Sequence, residues 1–218
     1  MSPLGRPRLH LREIDSTNRR ARELAAAGAP HGTLVTAGVQ TAGRGRQGRT
    51  WEALAGSALL CSLIVRELDP LLSLRAGLAV ADVAGAAARV KWPNDVLLDG
   101  GKVAGVLVEG RPGDGWAVVG IGVNAAAAPA GVGAVALGRT DVEMVLGELL
   151  AALERRLAEA PADTLRALRA RDALLGAPLR WEGGSGVGDG IDDDGGLRVR
   201  LADGGEAVLS AGEVHLGR

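Results

Sequence analysis

Lys91-Trp92-Pro93-Asn94-Asp95-Val96-Leu97-Leu98-Asp99-Gly100-Gly101-Lys102-Val103-Ala104-Gly105 reads as strand, turn, strand, turn, strand. Val90-Lys91-Trp92 is extended and apolar-flanked, and Pro93-Asn94 turns the chain. Val96 to Leu98 is too short for a helix. Asp99-Gly100-Gly101 is the composition of a tight hairpin, whose central residues need positive φ. Val103 to Val108 and then Trp116 to Val123 complete a group of adjacent strands. If the 99–101 turn is a hairpin, Lys102 folds back beside Asp95, placing a cation and a carboxylate on neighbouring strands. Asp95 could hold Mg²⁺ or accept a proton, and Lys102 could neutralise charge on a reacting carboxylate and phosphate. The plainer alternative is a strand-end salt bridge.

Upstream, Leu9 to Ile14 alternates and predicts a strand. Asp15-Ser16-Thr17-Asn18 supplies N-cap residues for a helix running to Gly28. Thr33 to Val39 and the near-continuous apolar run Ser57 to Val65 predict two more strands, the latter central. Asp69-Pro70 opens a helix that should reach about Arg89. Downstream, the Ala-, Gly- and Pro-rich stretch 125–139 reads as a mobile loop. Thr140-Asp141-Val142-Glu143 has capping-box spacing and should start a helix to about Ala158. A further helix is expected over about Ala162 to Leu174. Composition shifts after Gly176 to short β patterns and Gly/Asp turns, among them Asp192-Asp193-Asp194, which reads as solvated. This predicts a β-barrel of about 40 residues, small enough to depend on packing against the main domain.

Residue usage narrows the function. The chain has 218 residues, a formal net charge of −1 and no Phe or Tyr. Near-neutral charge argues against a field that draws nucleic acid or an anionic membrane. Met1 to Arg8 contains no apolar stretch of a signal peptide, and the longest apolar run falls short of the roughly 20 residues that span a bilayer. The single Cys61 sits inside that run and reads as a core residue; His10, His31 and His215 lack metal-ligand spacing. These features predict a soluble cytoplasmic protein. Cations are Arg almost throughout, with Lys only at 91 and 102; Asn occurs at 18, 94 and 124, and Gln at 40 and 47. All seven fall within 15–18, 40–51, 91–102 and 120–124. A chain that avoids these types while clustering them points to a site, because Lys gives a compact charge and amides give donor and acceptor on one neutral group.

Gly43-Arg44-Gly45-Arg46-Gln47-Gly48-Arg49-Thr50-Trp51 is the other candidate. Its glycines allow backbone N–H groups near an anion, its arginines offer forks for carboxylate or phosphate, and Trp51 offers a flat face for a base. No Gly-Lys-Ser/Thr follows, so it is not a Walker A loop. A solvated basic loop is the plainer alternative. The Arg-Gly-Arg core also resembles minor-groove DNA hooks, but Gln47 stands where Pro usually follows.

Together these segments resemble the signature of the biotin–protein ligase family: the Gly-Arg-Gly-Arg-x-Gly-Arg-x-Trp loop, Lys-Trp-Pro-Asn-Asp, Lys-x-Ala-Gly-x-Leu-Val-Glu and a late Gly-x-Gly-x-Asn, in order over residues 8–124. The tail from Leu209 to Leu216 resembles the family's SH3-like cap. The resemblance implies an α+β fold, with a mixed, mainly antiparallel sheet backed by helices on one face and a small C-terminal SH3-like β-barrel. The expected division is a catalytic biotin/ATP-binding domain over 1–174 and the SH3-like domain over 175–218. It implies ATP-dependent formation of biotinyl-5′-AMP and transfer to a lysine of a biotin carboxyl carrier protein domain.

By the same resemblance, Ser16, Thr17 and Gln40 would hydrogen-bond the ureido ring of biotin. Gly43, Arg44 and the loop backbone would close over it, Arg46 would help retain the adenylate, and Gly105 would leave room. Arg49 and Lys91 would join the ATP site, Trp51 would stack on adenine, and Asn94 and Asp95 would organise Mg²⁺ and phosphates. Lys102 would bridge the biotin carboxylate and α-phosphate, and Asn124 would contact the nucleotide. Lys102, Arg46 and Asp95 are the expected catalytic group. Bifunctional relatives carry an N-terminal helix-turn-helix; here the catalytic pattern starts within about ten residues of Met1, so no DNA binding is expected. No membrane partner is expected, and a homodimer is compatible with the pattern. The competing readings are a lipoate ligase or related acyltransferase, a biotin sensor without catalysis, and a nucleic-acid binder.

Overall fold

The computed structural model describes residues 4–110, 113–131 and 133–217. The segment 1–8 considered above is thus described from Leu4, and the stretch 125–139 without Val132. Among these residues, seven strands form one sheet in the order β1-β2-β3-β7-β6-β5-β4: β1 (Arg8–Ile14), β2 (Leu34–Gln40), β3 (Ala58–Val65), β4 (Arg89–Lys91), β5 (Asp95–Leu98), β6 (Gly101–Gly110) and β7 (Ala117–Asn124). Only β1 and β2 pair in parallel; every other neighbour is antiparallel. The sheet is therefore mixed and mainly antiparallel, as the adjacent short strands predict.

The apolar run 58–65 is buried at all eight positions because both its faces are covered. Leu63 and Val65 enter the main core with α2 (Leu72–Ala84) and α3 (Val142–Ala158), whereas Ile64 joins Val35 and Val118 beneath α1 (Thr17–Ala26). Helices α2 and α3 thus back one face of the sheet as expected, and α1 adds cover to part of the other. Each fully buried Leu or Ile contributes about 1.5–3 kcal/mol from apolar area. Arg75, 2 % exposed, ties α2 to the end of α3: it pairs with Asp69 and donates to Arg156 O at 2.6 Å, Glu159 O at 3.0 Å and Thr164 Oγ1 at 2.6 Å. Two of these acceptors are orphan carbonyls at the end of α3, and the full set of partners makes the buried guanidinium tolerable.

Several predicted boundaries shift for local reasons. Asp69 caps the turn before α2 by accepting from Leu71 N at 2.8 Å, and Gly85 at φ +99° ends the helix before Arg89. Asp141, one residue beyond Thr140, is the N-cap of α3, accepting from Met144 N. Glu143 is thereby freed from a capping box and forms a two-pronged pair with Arg8 of β1 at 2.6 and 2.7 Å. That pair holds the Glu143 carboxyl below its ordinary range. The fourth helix, α4 (Pro161–Ala170), stops short of Leu174. The 125–139 stretch is not free along its length: Val135 N donates to Lys102 O, Lys102 N to Gly133 O, Leu137 N to Asn124 O and Arg139 N to Ala125 O.

After Gly176, β8 (Pro178–Trp181), β9 (Gly184–Ile191), β10 (Leu197–Arg200), β11 (Glu206–Leu209) and β12 (His215–Leu216) form a five-stranded antiparallel sheet, consistent with an SH3-like unit. It shares the main core through Leu179, Ile191, Leu197 and Val199. The turn read as solvated is half docked. Asp193 is exposed, but Gly195 is buried against Leu71 and Leu74, and its carbonyl accepts from Trp92 Nε1 at 3.0 Å.

Candidate active site

The site begins as a gap in the sheet surface. Along β7, Val119, Ile121 and Val123 enter the core, so Gly120 and Gly122 occupy the opposite face; along β6, Ala104 and Val106 enter the core and Gly105 pairs with Gly122. Where side chains should stand there is only backbone. The Trp51 indole lies on this floor. A Cβ at Gly122 would collide with it, and one at Gly105 would stand 3.2 Å from its Cζ3. The resulting cleft of about 860 Å³, open to solvent, runs from the start of α1 to the β4–β5 turn.

One end is neutral. Ile14 and Gln40 are level in the β1–β2 ladder, so Gln40 meets the start of α1. Its Oε1 accepts from Thr17 N at 2.7 Å and Thr17 Oγ1 at 3.0 Å. The buried Ser62 hydroxyl lies 2.8 Å from Thr17 Oγ1 and 2.6 Å from Asn18 Oδ1, and Asn18 Nδ2 donates to Leu107 O and Glu109 Oε2. Ser16 caps α1 through a long bond from Arg19 N, 3.4 Å. Gly120 is required here, because a Cβ would overlap the Asn18 amide.

The other end is charged. The hairpin predicted at Asp99-Gly100 forms, with φ of 49° and 81°. A register shift between Val96 and Leu97 brings Lys102 Nζ to 2.7 Å from Asp95 Oδ1, with Lys91 Nζ 3.8 Å from Oδ2. Lys102 Nζ also stands 5.6 Å from the Trp51 ring centre, a cation–π distance. The 43–51 segment, read as an aperiodic loop, is a tight hairpin. Arg44 bridges Thr50, Trp51 N donates to Gly43 O, and Gly45 N donates to Arg49 O; Gln47 and Gly48 turn it with φ of 52° and 75°. Arg46 reaches Asn94 Oδ1 at 3.1 Å and Gly212 O at 3.0 Å, and Arg49 pairs with Glu213. Among the described residues there is no group of three His, Cys, Asp or Glu side chains that could hold a metal by itself. Burial pushes the Cys61 thiol up to about 12, so it is a protonated core residue at neutral pH.

Of the residues expected from sequence, Ser16, Thr17, Gln40, Arg44, Arg46, Arg49, Trp51, Lys91, Asn94, Asp95, Lys102 and Gly105 line this one cleft. Gly43 and Asn124 do not. Gly43 is the neck of the hairpin, pressed against Trp51 O. Asn124 is 2 % exposed, and its Nδ2 donates to Val135 O at 3.1 Å and Lys102 O at 3.4 Å, while its Oδ1 is buried without a partner. Sequence reading missed Asn18, Gly120 and Gly122 as wall residues, though rare-residue clustering and alternate glycines marked them. It also missed Glu213 and Val214, which line the cleft from the C-terminal sheet and carry no local signal.

The profile of the Biotin/lipoate A/B protein ligase family matches residues 11–125. A biotin–[acetyl-CoA-carboxylase] ligase of Paracoccus denitrificans is 40 % identical over 95 % of this chain and 99 % of its own. One of Mycobacterium tuberculosis is 38 % identical over 94 % and 87 %. The solved structure of biotin protein ligase from Aquifex aeolicus in complex with biotin and ATP superposes with a TM-score of 0.82 at 29 % identity, covering 98 % of this chain and 99 % of that one. Matched over residues 11–125 and by relatives that align along nearly its full length, this chain belongs to the biotin/lipoate A/B protein ligase family.

Proposed function

We propose that the protein is a biotin–[biotin carboxyl carrier protein] ligase. It activates biotin with ATP to biotinyl-5′-AMP and transfers the biotinyl group to a lysine of a carrier domain. The observation that carries this reading is the meeting, on one glycine floor, of a neutral hydrogen-bonding pocket at Thr17–Gln40 with the Lys102–Asp95 charge centre under an arginine hairpin. A ureido ring is neutral and needs both donors and acceptors, which Ser16, Thr17 and the Gln40 amide supply. Relatives named for biotin and acetyl-CoA carboxylase, and the Aquifex aeolicus complex with biotin and ATP, support the same substrates.

In the first half-reaction a biotin carboxylate oxygen attacks the α-phosphorus and pyrophosphate leaves. Two anions must approach, so Lys102 sits between carboxylate and α-phosphate while Arg46 and Arg49 take phosphate oxygens, with Lys91 adding charge. Trp51 would stack on adenine. Asp95, with Asn94 beside it, would hold Mg²⁺; one carboxylate fits an ion whose other ligands are phosphates and water, and the ion supplies charge neutralisation. Gly43, Arg44 and Gly105 shape the biotin side. In the second half-reaction the carrier amine attacks the anhydride carbonyl and AMP leaves. That amine has a pKa near roughly 10.4 and arrives protonated, so a base must take its proton, and Asp95 would be that base. The hairpin keeps water from the anhydride.

We infer further that residues 1–174 are the catalytic unit and 175–218 its cap, held by the shared core. We place the protein in the cytoplasm, as monomer or homodimer, without a DNA or membrane partner; the net charge of −1 supports the last two. No helix among the described residues is long and apolar enough to cross a membrane. Exchange of labelled pyrophosphate into ATP tests the activity. It should depend on biotin, be absent with lipoate, and fall about 100- to 1,000-fold in Lys102→Ala. Calorimetric biotin binding without exchange would leave a sensor and end this reading.

A further inference from the structure

Glu109 takes no part in the adenylation chemistry above, yet three side chains from two other segments converge on it. It lies on β6 two residues beyond Leu107, with its side chain 17 % exposed. Asn18 Nδ2 donates to its Oε2 at 2.9 Å; Arg22 Nη1 and Arg44 Nη1 approach its Oε1 at 3.4 and 3.3 Å. Asn18 and Arg22 belong to α1, whereas Arg44 is the first arginine of the hairpin.

The contacts form a chain that begins at Glu109 and ends beside the neck of the hairpin. From Glu109 it passes through Asn18, Ser62 and Thr17 to Gln40 at separations of 2.6 to 3.0 Å, the two hydroxyl protons being shared among the last three contacts. The Gln40 amide sits at Gly43, where a Cβ would stand 3.2 Å from Nε2, and Gly43 precedes Arg44, which returns to Glu109. The groups that would grip the ring and the hairpin that would cover it therefore share one carboxylate. Its two sides differ in strength. Asn18 is 4 % exposed and its bond is short, so that side is fixed. Arg44 is 47 % exposed and its pair is long, so that side can open.

We propose that Glu109 is a positioning residue, a latch that holds the 43–51 hairpin closed over the activated intermediate by docking Arg44, while its bond to Asn18 seats the ring pocket. The proposal rests on the ligase reading.

The test separates the two sides. Glu109→Gln is isosteric, keeps an acceptor for Asn18 and removes the charge that docks Arg44; Glu109→Ala removes both. In the full-length protein, biotin-dependent pyrophosphate exchange reports KM for biotin and for ATP, and rapid filtration of preloaded protein reports release of biotinyl-5′-AMP. Glu109→Gln should release the adenylate about two- to fivefold faster, the size of one partly exposed ion pair, with KM for biotin and for ATP unchanged. Glu109→Ala should release it equally fast and raise KM for biotin about tenfold. Combining Glu109→Gln with Arg44→Ala should speed release no more than the faster single change. Wild-type release from Glu109→Gln, or rate increases that multiply in the double variant, would overturn the latch alone. Absence of exchange in the unaltered protein would overturn the activity and the latch together.

Discussion

The two ends of the cleft are built on different principles. At the Thr17–Gln40 end, neutral groups are locked in a buried network whose members already have partners. At the Lys102 end, the cations are parked on carboxylates and carbonyls that a polyanion would displace: Lys102 on Asp95, Arg49 on Glu213, Arg46 on Asn94 and Gly212. A neutral ring can be met by a finished pocket, because hydrogen bonds to neutral groups need little rearrangement. A triphosphate cannot, since several unpaired cations held close together would repel one another and lose solvation. On the proposed reading, temporary partners would keep that end stable until the anion arrives.

If this contrast holds, the charged end should carry the largest rate effects. Asp95→Asn should slow transfer from preformed adenylate to the carrier by about 100-fold or more, read by single-turnover labelling; unchanged transfer would remove Asp95 as the base. The shared floor should come next. Gly122→Ala should displace Trp51 and weaken ATP and biotin alike by about tenfold in calorimetry, since a methyl in a closed shelf costs about 1–3 kcal/mol. Loss of only one ligand's affinity would show that the floor serves one end. Ser62→Ala breaks the neutral network between Thr17 and Asn18 and should cost about 1–3 kcal/mol in urea unfolding, raising KM for biotin while sparing KM for ATP.

The smallest effect lies outside both ends. Burial raises the Asp172 carboxyl above its ordinary value, although Leu174 N donates to it. Above that raised value both folded and unfolded chains are charged and only the folded one bears the desolvation; below 3.8 both are neutral and the penalty is gone. Asp172→Asn should therefore raise Tm by roughly 2 °C at neutral pH, and the gain should fade as pH drops through the raised value toward 3.8. Exchange kinetics should be unaltered, which makes it the control for the other three.

Much of the site was legible because it is local. The Asp99-Gly100 turn dictates a hairpin, the hairpin sets Lys102 against Asp95, and alternate residues of Val119 to Asn124 separate core from floor without any distant contact. Rare-residue clustering marked Asn18 as well, yet its partners Ser62 and Glu109 are ordinary residues on ordinary strands, so the network could not be read. The capping-box spacing at Thr140–Glu143 misled by one residue because Arg8, far away in the chain, offers Glu143 a better partner than a backbone amide. The Ala/Gly stretch 125–139 carries no periodicity; its order comes from backbone groups of Lys102 and Asn124 that composition does not encode.

By itself the sequence determined the strands of the main sheet, the turn chemistry and the candidate reactive groups, since period-two alternation and positive-φ turns act over a few residues. The tertiary structure alone decided that α1 covers the cleft face, that Glu213 and Gly212 return from the last sheet to hold the arginine hairpin, that Gly195 anchors Trp92, and that Asn124 turns away from the wall. Those outcomes depend on which distant surfaces bury each other. Burial strength scales with area and is indifferent to order along the chain, so no local pattern can announce it.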